Sequence, residues 1–314
     1  MTEPSPMRRK ALLIVNGRAR NGTAALEGPV ALLRDAGIEI VECPCVDGDN
    51  AGDHIRTRAG SGTGITEVIV GGGDGTMNAA APGLVATGLP LGILPLGTAN
   101  DLARSLDIPA DIDAAARVIA DGRVRSIDLG DVNGHLYFNV ASIGFSAVLA
   151  RELSAESKRR WGVLGYAITA FRILRRMRPF TANITHDNGQ VRTKTIQVSV
   201  GNGRHYGGGM TVDAEAQPDD GILDVYSLEI DRWWRLIAIA PSLRRGTHGA
   251  WNDVRTLRTT ACTLTTRPPM RVNADGEIVT MTPARFRVHP AAIRVFAPDP
   301  GPAADQPAGG SSAA

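Results

Sequence analysis

The chain has 314 residues, 43% of them hydrophobic and only 4% aromatic, so it can bury one large core or two ordinary ones packed by aliphatic side chains. A formal charge of +2 is too small to mark a nucleic-acid binder by bulk electrostatics. Cys43, Cys45 and Cys262 are an odd set that makes no disulfide framework and fits a reducing compartment, and Cys43-Pro44-Cys45 lacks the second ligand pair of a zinc site.

Arg8-Arg9-Lys10 precedes an apolar run at 11–15 that stops at Asn16-Gly17. A secretory leader needs about 7–15 apolar residues there, so the run reads as a first strand. Gly28-Pro29 opens a helix that Gly37 closes, with the proline where a missing N–H costs nothing. A strand is expected at 38–42, a helix at 50–59 and a buried strand at 67–70. Gly71-Gly72-Gly73-Asp74-Gly75-Thr76 then leads into a helix of small residues over 75–86. Another strand, 91–94, runs into Pro95-Leu96-Gly97-Thr98 and a helix from Asn100. This alternation predicts a parallel sheet covered by helices, whose ligands collect at the carboxyl ends of the strands. Both glycine-bearing loops lie there.

From Asp128 onward strands dominate, at 136–141, 182–186, 195–200, 223–228, 262–266, 271–273, 285–289 and 292–296. Turn signals at Asp187-Asn188-Gly189, Asp219-Asp220-Gly221 and Ala274-Asp275-Gly276 separate many of them. Helices are expected over 158–178 and 232–243, and the Pro/Gly/Ala/Ser tail 298–314 has nothing to bury. The expected organisation is therefore a nucleotide-binding domain over 8–127 and a mostly antiparallel β-rich domain over 128–297. The end of the second is free to return to the first. No apolar stretch approaches the ~20 residues of a membrane span, so a soluble, cytoplasmic protein is expected.

The loop around Asp74 carries the most chemistry. Bare glycines let the backbone approach a polyphosphate, and the following helix offers free N–H groups to it. It is neither the Rossmann fingerprint nor a Walker loop, which require other spacings. Asp74 would repel a phosphate unless a metal or water accompanied it. The second loop, Pro95 to Asp101, adds a hydroxyl, an amide and a carboxylate. Alone, Thr98 or Asn100 there reads as a helix N-cap; beside the first loop, the pair reads as a two-sided nucleotide clamp.

These two loops resemble the diacylglycerol-kinase catalytic domain family, which includes sphingosine and ceramide kinases and the bacterial YegS-type lipid kinases. Gly201-Asn202-Gly203-Arg204 with Gly207-Gly208-Gly209, Gln217-Pro218-Asp219-Asp220-Gly221-Ile222 and Asn273-Ala274-Asp275-Gly276-Glu277 follow in the family's order, and the resemblance runs from Leu12 to Phe296. It implies an α/β nucleotide-binding domain like that of NAD kinase and phosphofructokinase, followed by an antiparallel β-sandwich. It further implies that ATP is held by Gly72, Gly73, Asp74, Gly75, Thr76, Met77, Asn78 and Thr98, with Asn16 and Asp101 alongside. Mg²⁺, with Ca²⁺ as the alternative, would bind the Asp220 carboxylate and the carbonyls of Gln217 and Ile222. Glu277 would be the general base toward a lipid hydroxyl. Asp74 and Asp101, with Asp128 as a further member, would form an acidic network near the phosphates.

Three departures stand out: Cys45 where relatives carry an ATP-contacting Thr, Ala79 after the loop Asn, and Asn16-Gly17-Arg18 without the usual proline. Residues 158–178 hold seven basic side chains and no acid, with Trp161, Leu164, Ile168 and Phe171 at helical spacing. That pattern suits peripheral contact with the inner membrane surface, and equally a core-packed helix with solvated arginines. Trp233, Trp234 and Trp251, among flanking arginines, make a second basic-aromatic patch. NAD and sugar kinases share the Gly-Gly-Asp-Gly-Thr loop and are the rival reading; a non-catalytic lipid or nucleotide sensor is the second.

Overall fold

The computed structural model describes residues 9–16, 26–46, 50–152, 178–203, 205–206, 210–211, 216–230, 235, 242, 251 and 253–299. For 43–46, 149–152, 205–206 and 210–211 it describes the backbone alone. The basic segment 158–177, the side chain of Cys45, the Gly17-Arg18 loop, Arg204, the glycines 207–209, Trp233, Trp234 and the tail from 300 lie outside the described residues.

The first half alternates as its patterning predicts through β1 (Lys10–Asn16), α1 (Glu27–Asp35), β2 (Glu39–Val46), α2 (Ala51–Arg58), β3 (Glu67–Gly72), α3 (Asp74–Thr87), β4 (Leu91–Pro95) and α4 (Asp101–Ser105), and continues with α5 (Ile112–Asp121) and β5 (Val124–Val132), which the sequence reading did not place. Strands β2, β1, β3 and β4 pair in parallel in that spatial order. The apolar runs of β1, β3 and β4 suit a sheet buried on both faces, and β3 and β4 are buried throughout. Helix α5 was not anticipated, although its signals are present. The Asp111 side chain accepts from Ala114 N at 2.8 Å, and Gly122 ends the helix at φ +74°.

The second half contains β6 (His135–Tyr137), β7 (Val140–Gly144), α6 (Phe145–Glu152), β8 (Phe180–His186), β9 (Gly189–Thr195), β10 (Gln197–Gly201), β11 (His205–Tyr206), β12 (Met210–Thr211), β13 (Leu223–Leu228), β14 (Val254–Thr259), β15 (Ala261–Arg267), β16 (Arg271–Ala274), β17 (Glu277–Met281) and β18 (Ala284–Phe296). Among the described residues, a six-stranded sheet runs β14-β13-β10-β7-β16-β17, with every pairing antiparallel. The other large sheet continues from β4 through β18, β15, β8 and β9, with β5 also pairing β18 and β6 pairing β5. One apolar core lies between the parallel strands and their helices, and a second lies between the two sheets.

Two expectations are corrected. The strand expected over 136–141 is two strands, β6 and β7, because the amides of Phe138 and Asn139 turn away from a ladder toward the carboxylate of Asp275. The strands expected at 285–289 and 292–296 are one, β18, which pairs with β5 along its length and bulges between His289 and Ile293. Ala291 takes φ +49° in that bulge, and its amide donates to Asp128 Oδ1 at 2.7 Å.

The β5–β6 hairpin depends on one close approach. Gly130 faces the fully buried ring of Tyr137, and a Cβ on Gly130 would lie 2.1 Å from Tyr137 Cζ. Neither strand has room to move. Gly130→Ala is expected to cost about 1–3 kcal/mol of stability, seen as a lower urea midpoint at unchanged slope; a variant as stable as the parent would sink this packing account.

Candidate active site

The phosphate-type loop is built by the junction of β3 and α3. Gly73 caps the helix in an extended conformation, and its carbonyl accepts from Thr76 N and Met77 N at 2.9 and 3.1 Å. The amides of Asp74 and Gly75 precede the first intrahelical bond, so they are the donors available to an anion. Thr76 and Met77 are buried, so they can serve a ligand only through their backbone. The Thr76 hydroxyl accepts from Asn16 Nδ2 at 2.9 Å, tying the end of β1 to the loop. Asn78 Oδ1 is buried without a partner among the described residues.

The second loop closes directly on the first. Leu96 N donates to Gly72 O at 3.0 Å, and a Cβ on Gly73 would lie 3.1 Å from Gly97 Cα. Asn100, at φ +50°, accepts from Gly97 N and donates to Gly97 O, so its side chain locks the loop rather than capping α4. Capping comes from the other loop: Leu102 N donates to Asp74 Oδ1 at 3.1 Å. The carboxylate that looked out of place in an anion loop thus satisfies a helix end, and it joins the two loops. Asp101 is buried beside it, while Thr98 is exposed.

The second half contributes a hairpin tip. Asp275 and Gly276 take φ +44° and +100° between paired Ala274 and Glu277. This is the two-residue, left-handed turn that an Asp-Gly pair favours. It carries Glu277, an exposed residue, to the first loop: Oε1 lies 3.9 Å from where a Cβ on Gly75 would sit. The Asp275 carboxylate accepts from Phe138 N at 2.7 Å, from Asn139 N at 3.1 and 3.2 Å, and from Val140 N at 2.8 Å. Burial pushes its carboxyl up to about 6, and the charge of Asp74 adds to this against the three amides, which pull it down.

Asp220 sits elsewhere, on the turn before β13. Its Oδ1 accepts from Ile222 N at 3.0 Å, and its Oδ2 meets the Arg258 guanidinium at 2.5 Å. Burial raises its pKa and the neighbouring Asp128 adds to this, whereas Ile222 N and Arg258 lower it. Lost solvation therefore outweighs the pull of Ile222 N and Arg258 on this carboxylate. One carboxylate with the carbonyls of Gln217 and Ile222 is an all-oxygen donor set, which fits a hard divalent cation. Arg258, with half its side chain exposed, can yield its place. Among the described residues, no group of three or more His, Cys, Asp or Glu side chains could hold a metal ion by itself.

Asp128 has a separate task. Both of its oxygens are taken by backbone amides, Oδ2 by Gly221 N at 2.6 Å and Oδ1 by Ala291 N at 2.7 Å. It fastens the Asp220 turn to the β18 bulge, and Arg125 helps with two bonds of 2.7 Å to Asp219. The structure thus brings Asn16, Gly72–Thr76 and Glu277 together, with Asp101 next to Leu102, whose amide bonds to Asp74. The Asp220 turn instead lies against the start of β5.

Comparison with known proteins follows the same division. The model of the diacylglycerol kinase catalytic domain matches residues 10–132, and that of the YegS C-terminal NAD kinase beta sandwich-like domain matches 139–297. "Diacylglycerol kinase" of Mycobacterium tuberculosis (strain H37Rv) is 31% identical over 300 residues, covering 92% of this chain and 95% of that protein. "Probable lipid kinase YegS-like" of Pseudomonas aeruginosa (strain PAO1) is 33% identical over 302 residues, covering 95% and 97%. A crystal structure of a diacylglycerol kinase from Bacillus anthracis str. Sterne superposes with a TM-score of 0.74 at 25% identity, covering 93% of this chain and 98% of that one.

Proposed function

Because the chain belongs to the family of lipid kinases that join a diacylglycerol kinase catalytic domain to a YegS-type C-terminal domain, we propose that it moves the γ-phosphoryl group of ATP onto a hydroxyl of a membrane lipid, with Glu277 as general base. The O–H bond of the lipid breaks as its proton passes to Glu277, the new P–O bond forms, and ADP leaves. What carries this reading is the approach of the Glu277 carboxylate to Gly75, which sets a base from the second half of the chain against the phosphate loop of the first.

Catalysis of phosphoryl transfer is mostly positioning and charge neutralisation. In this reading Gly72, Gly73, Asp74, Gly75, Thr76, Met77 and Asn78 hold the ATP phosphates, chiefly through backbone. Asn16, Thr98 and Asp101 border them. Asp220, with the carbonyls of Gln217 and Ile222, would hold Mg²⁺, which would supply positive charge to the partly desolvated carboxylate. The lipid class proposed is diacylglycerol, phosphatidylglycerol or a sphingoid base, delivered where the basic segment 158–178 and the exposed Trp251 meet an anionic surface. No helix among the described residues is long and apolar enough to cross a membrane.

The test is a parallel assay with labelled ATP and Mg²⁺, offering diacylglycerol, phosphatidylglycerol, ceramide, sphingosine, NAD and fructose 6-phosphate. Label is expected in one lipid and lost on chelation with EDTA. Phosphorylation of NAD or the sugar would overturn the lipid reading, and no label in any acceptor would favour a sensor. Pelleting with phosphatidylglycerol vesicles, weakened by high salt, tests the membrane contact.

A further inference from the structure

Asp275 has no place in the reaction as set out above, yet it is the most elaborately held carboxylate near the cleft. Its two oxygens accept from three consecutive backbone amides, those of Phe138, Asn139 and Val140, and its own amide donates to Val140 O at 3.0 Å. Those amides lie where β6 ends and β7 begins: Phe138 and Asn139 belong to neither strand, and Val140 opens β7. Asp275 is also the first of the two central residues of the turn that joins the paired Ala274 and Glu277. The hairpin tip is thus anchored to the start of β7 by the side chain and the amide of this one residue, beside the Ala274–Ala141 pairing.

We propose that Asp275 is a positioning residue for phosphoryl transfer: by gripping the 138–140 amides it holds the Asp-Gly turn so that Glu277 stands against Gly75. This rests on the reading of Glu277 as the base. A charged carboxylate accepts all three amides, whereas a protonated one carries a hydroxyl and must release at least one of them. The grip is therefore sensitive to pH in the range where Asp275 titrates, about 6. The ionisable groups facing it are Asp74 of α3, which favours protonation, Tyr137 of β6, whose buried phenol is held neutral, and Glu277 on its own hairpin.

The sign of the accompanying stability term separates this from acid unfolding. A carboxyl whose folded pKa is raised from 3.8 to about 6 favours the folded state increasingly as pH falls through that window. Proton uptake by Asp275 thus loosens the base without unfolding the protein.

The experiment uses the full chain, saturating Mg-ATP and dioctanoylglycerol in mixed micelles. For the parent, kcat is expected to fall below pH 6 while the KM for ATP and the folded CD spectrum hold. Asp275→Asn keeps a residue that accepts the left-handed turn but lacks the second acceptor oxygen. It is expected to lower kcat by about 10²-fold, the scale of an ångström's misplacement, and to abolish the acid limb near pH 6. Made on top of Glu277→Gln, it should add less than about 3-fold, because both act through one group. A parent profile flat through pH 6, or an Asp275→Asn protein with full kcat, overturns the proposal even if Glu277→Gln is inactive. Full turnover by Glu277→Gln would instead overturn the assignment of the base. If Asp275→Asn does not fold, the parent's pH profile decides alone.

Discussion

Glu277→Gln is expected to lower lipid phosphorylation by about 10²–10⁴-fold, the usual contribution of a positioned general base, while leaving the affinity for ATP within a few-fold of the parent. The substitution is nearly isosteric, and Glu277 is exposed at the hairpin, so neither the β16–β17 pairing nor the core should respond. The loops proposed to hold ATP belong to the other half of the chain, which is why kcat should collapse without the KM for ATP following it. Steady-state kinetics with the lipid identified by the acceptor panel, together with calorimetric titration of ATP, separates the two quantities. Retained turnover would remove Glu277 from the mechanism; lost ATP affinity would mean that the residue supports the loop rather than the proton transfer.

The second large effect is expected at Gly97→Ala. A Cβ there would meet Gly73 Cα at 2.5 Å and Asn100 Oδ1 at 2.6 Å. The first contact is backbone, and the second is the side chain that closes the loop through Gly97 itself. Neither can give way without the other, so the two nucleotide loops must part. The expected result is a rise in the KM for ATP of about 10–10²-fold, from displacement of the phosphate donors on the order of an ångström. A stability loss of about 1–3 kcal/mol accompanies it as the cost of overpacking. Lipid binding, measured by vesicle pelleting, should be unaffected. An unchanged KM for ATP would show that the second loop is not part of the nucleotide clamp.

Both variants touch residues that a reader of the sequence would single out, but for reasons the sequence conceals. Gly97 looks like a turn glycine, whereas its role is to let one loop lie on another. Asp74 looks like a misplaced charge in an anion site until Leu102 N is seen to need its oxygen. Asp128 looks like a member of an acidic network, and the structure gives both of its oxygens to backbone amides. Asp275 is legible in the sequence as part of a turn signal and of the segment that ends in Glu277, and its own contacts are not. Its grip on 138–140 also explains why the strand expected there breaks, so one missed contact accounts for one misread element.

By itself the sequence determined the local pieces: the alternation of buried strands and helices up to α4, the glycine loops at two strand ends, and the Asp-Gly turn before Glu277. Each of these follows from interactions within a few residues, namely side-chain periodicity, caps and backbone freedom. Only the tertiary structure decided that β18 runs unbroken between β4 and β15, and that Glu277 faces Gly75 from the far half of the chain. Those facts depend on which sheet edges are left to pair and on which amides are left without a ladder. That accounting of hydrogen-bond partners closes only when the whole chain is folded.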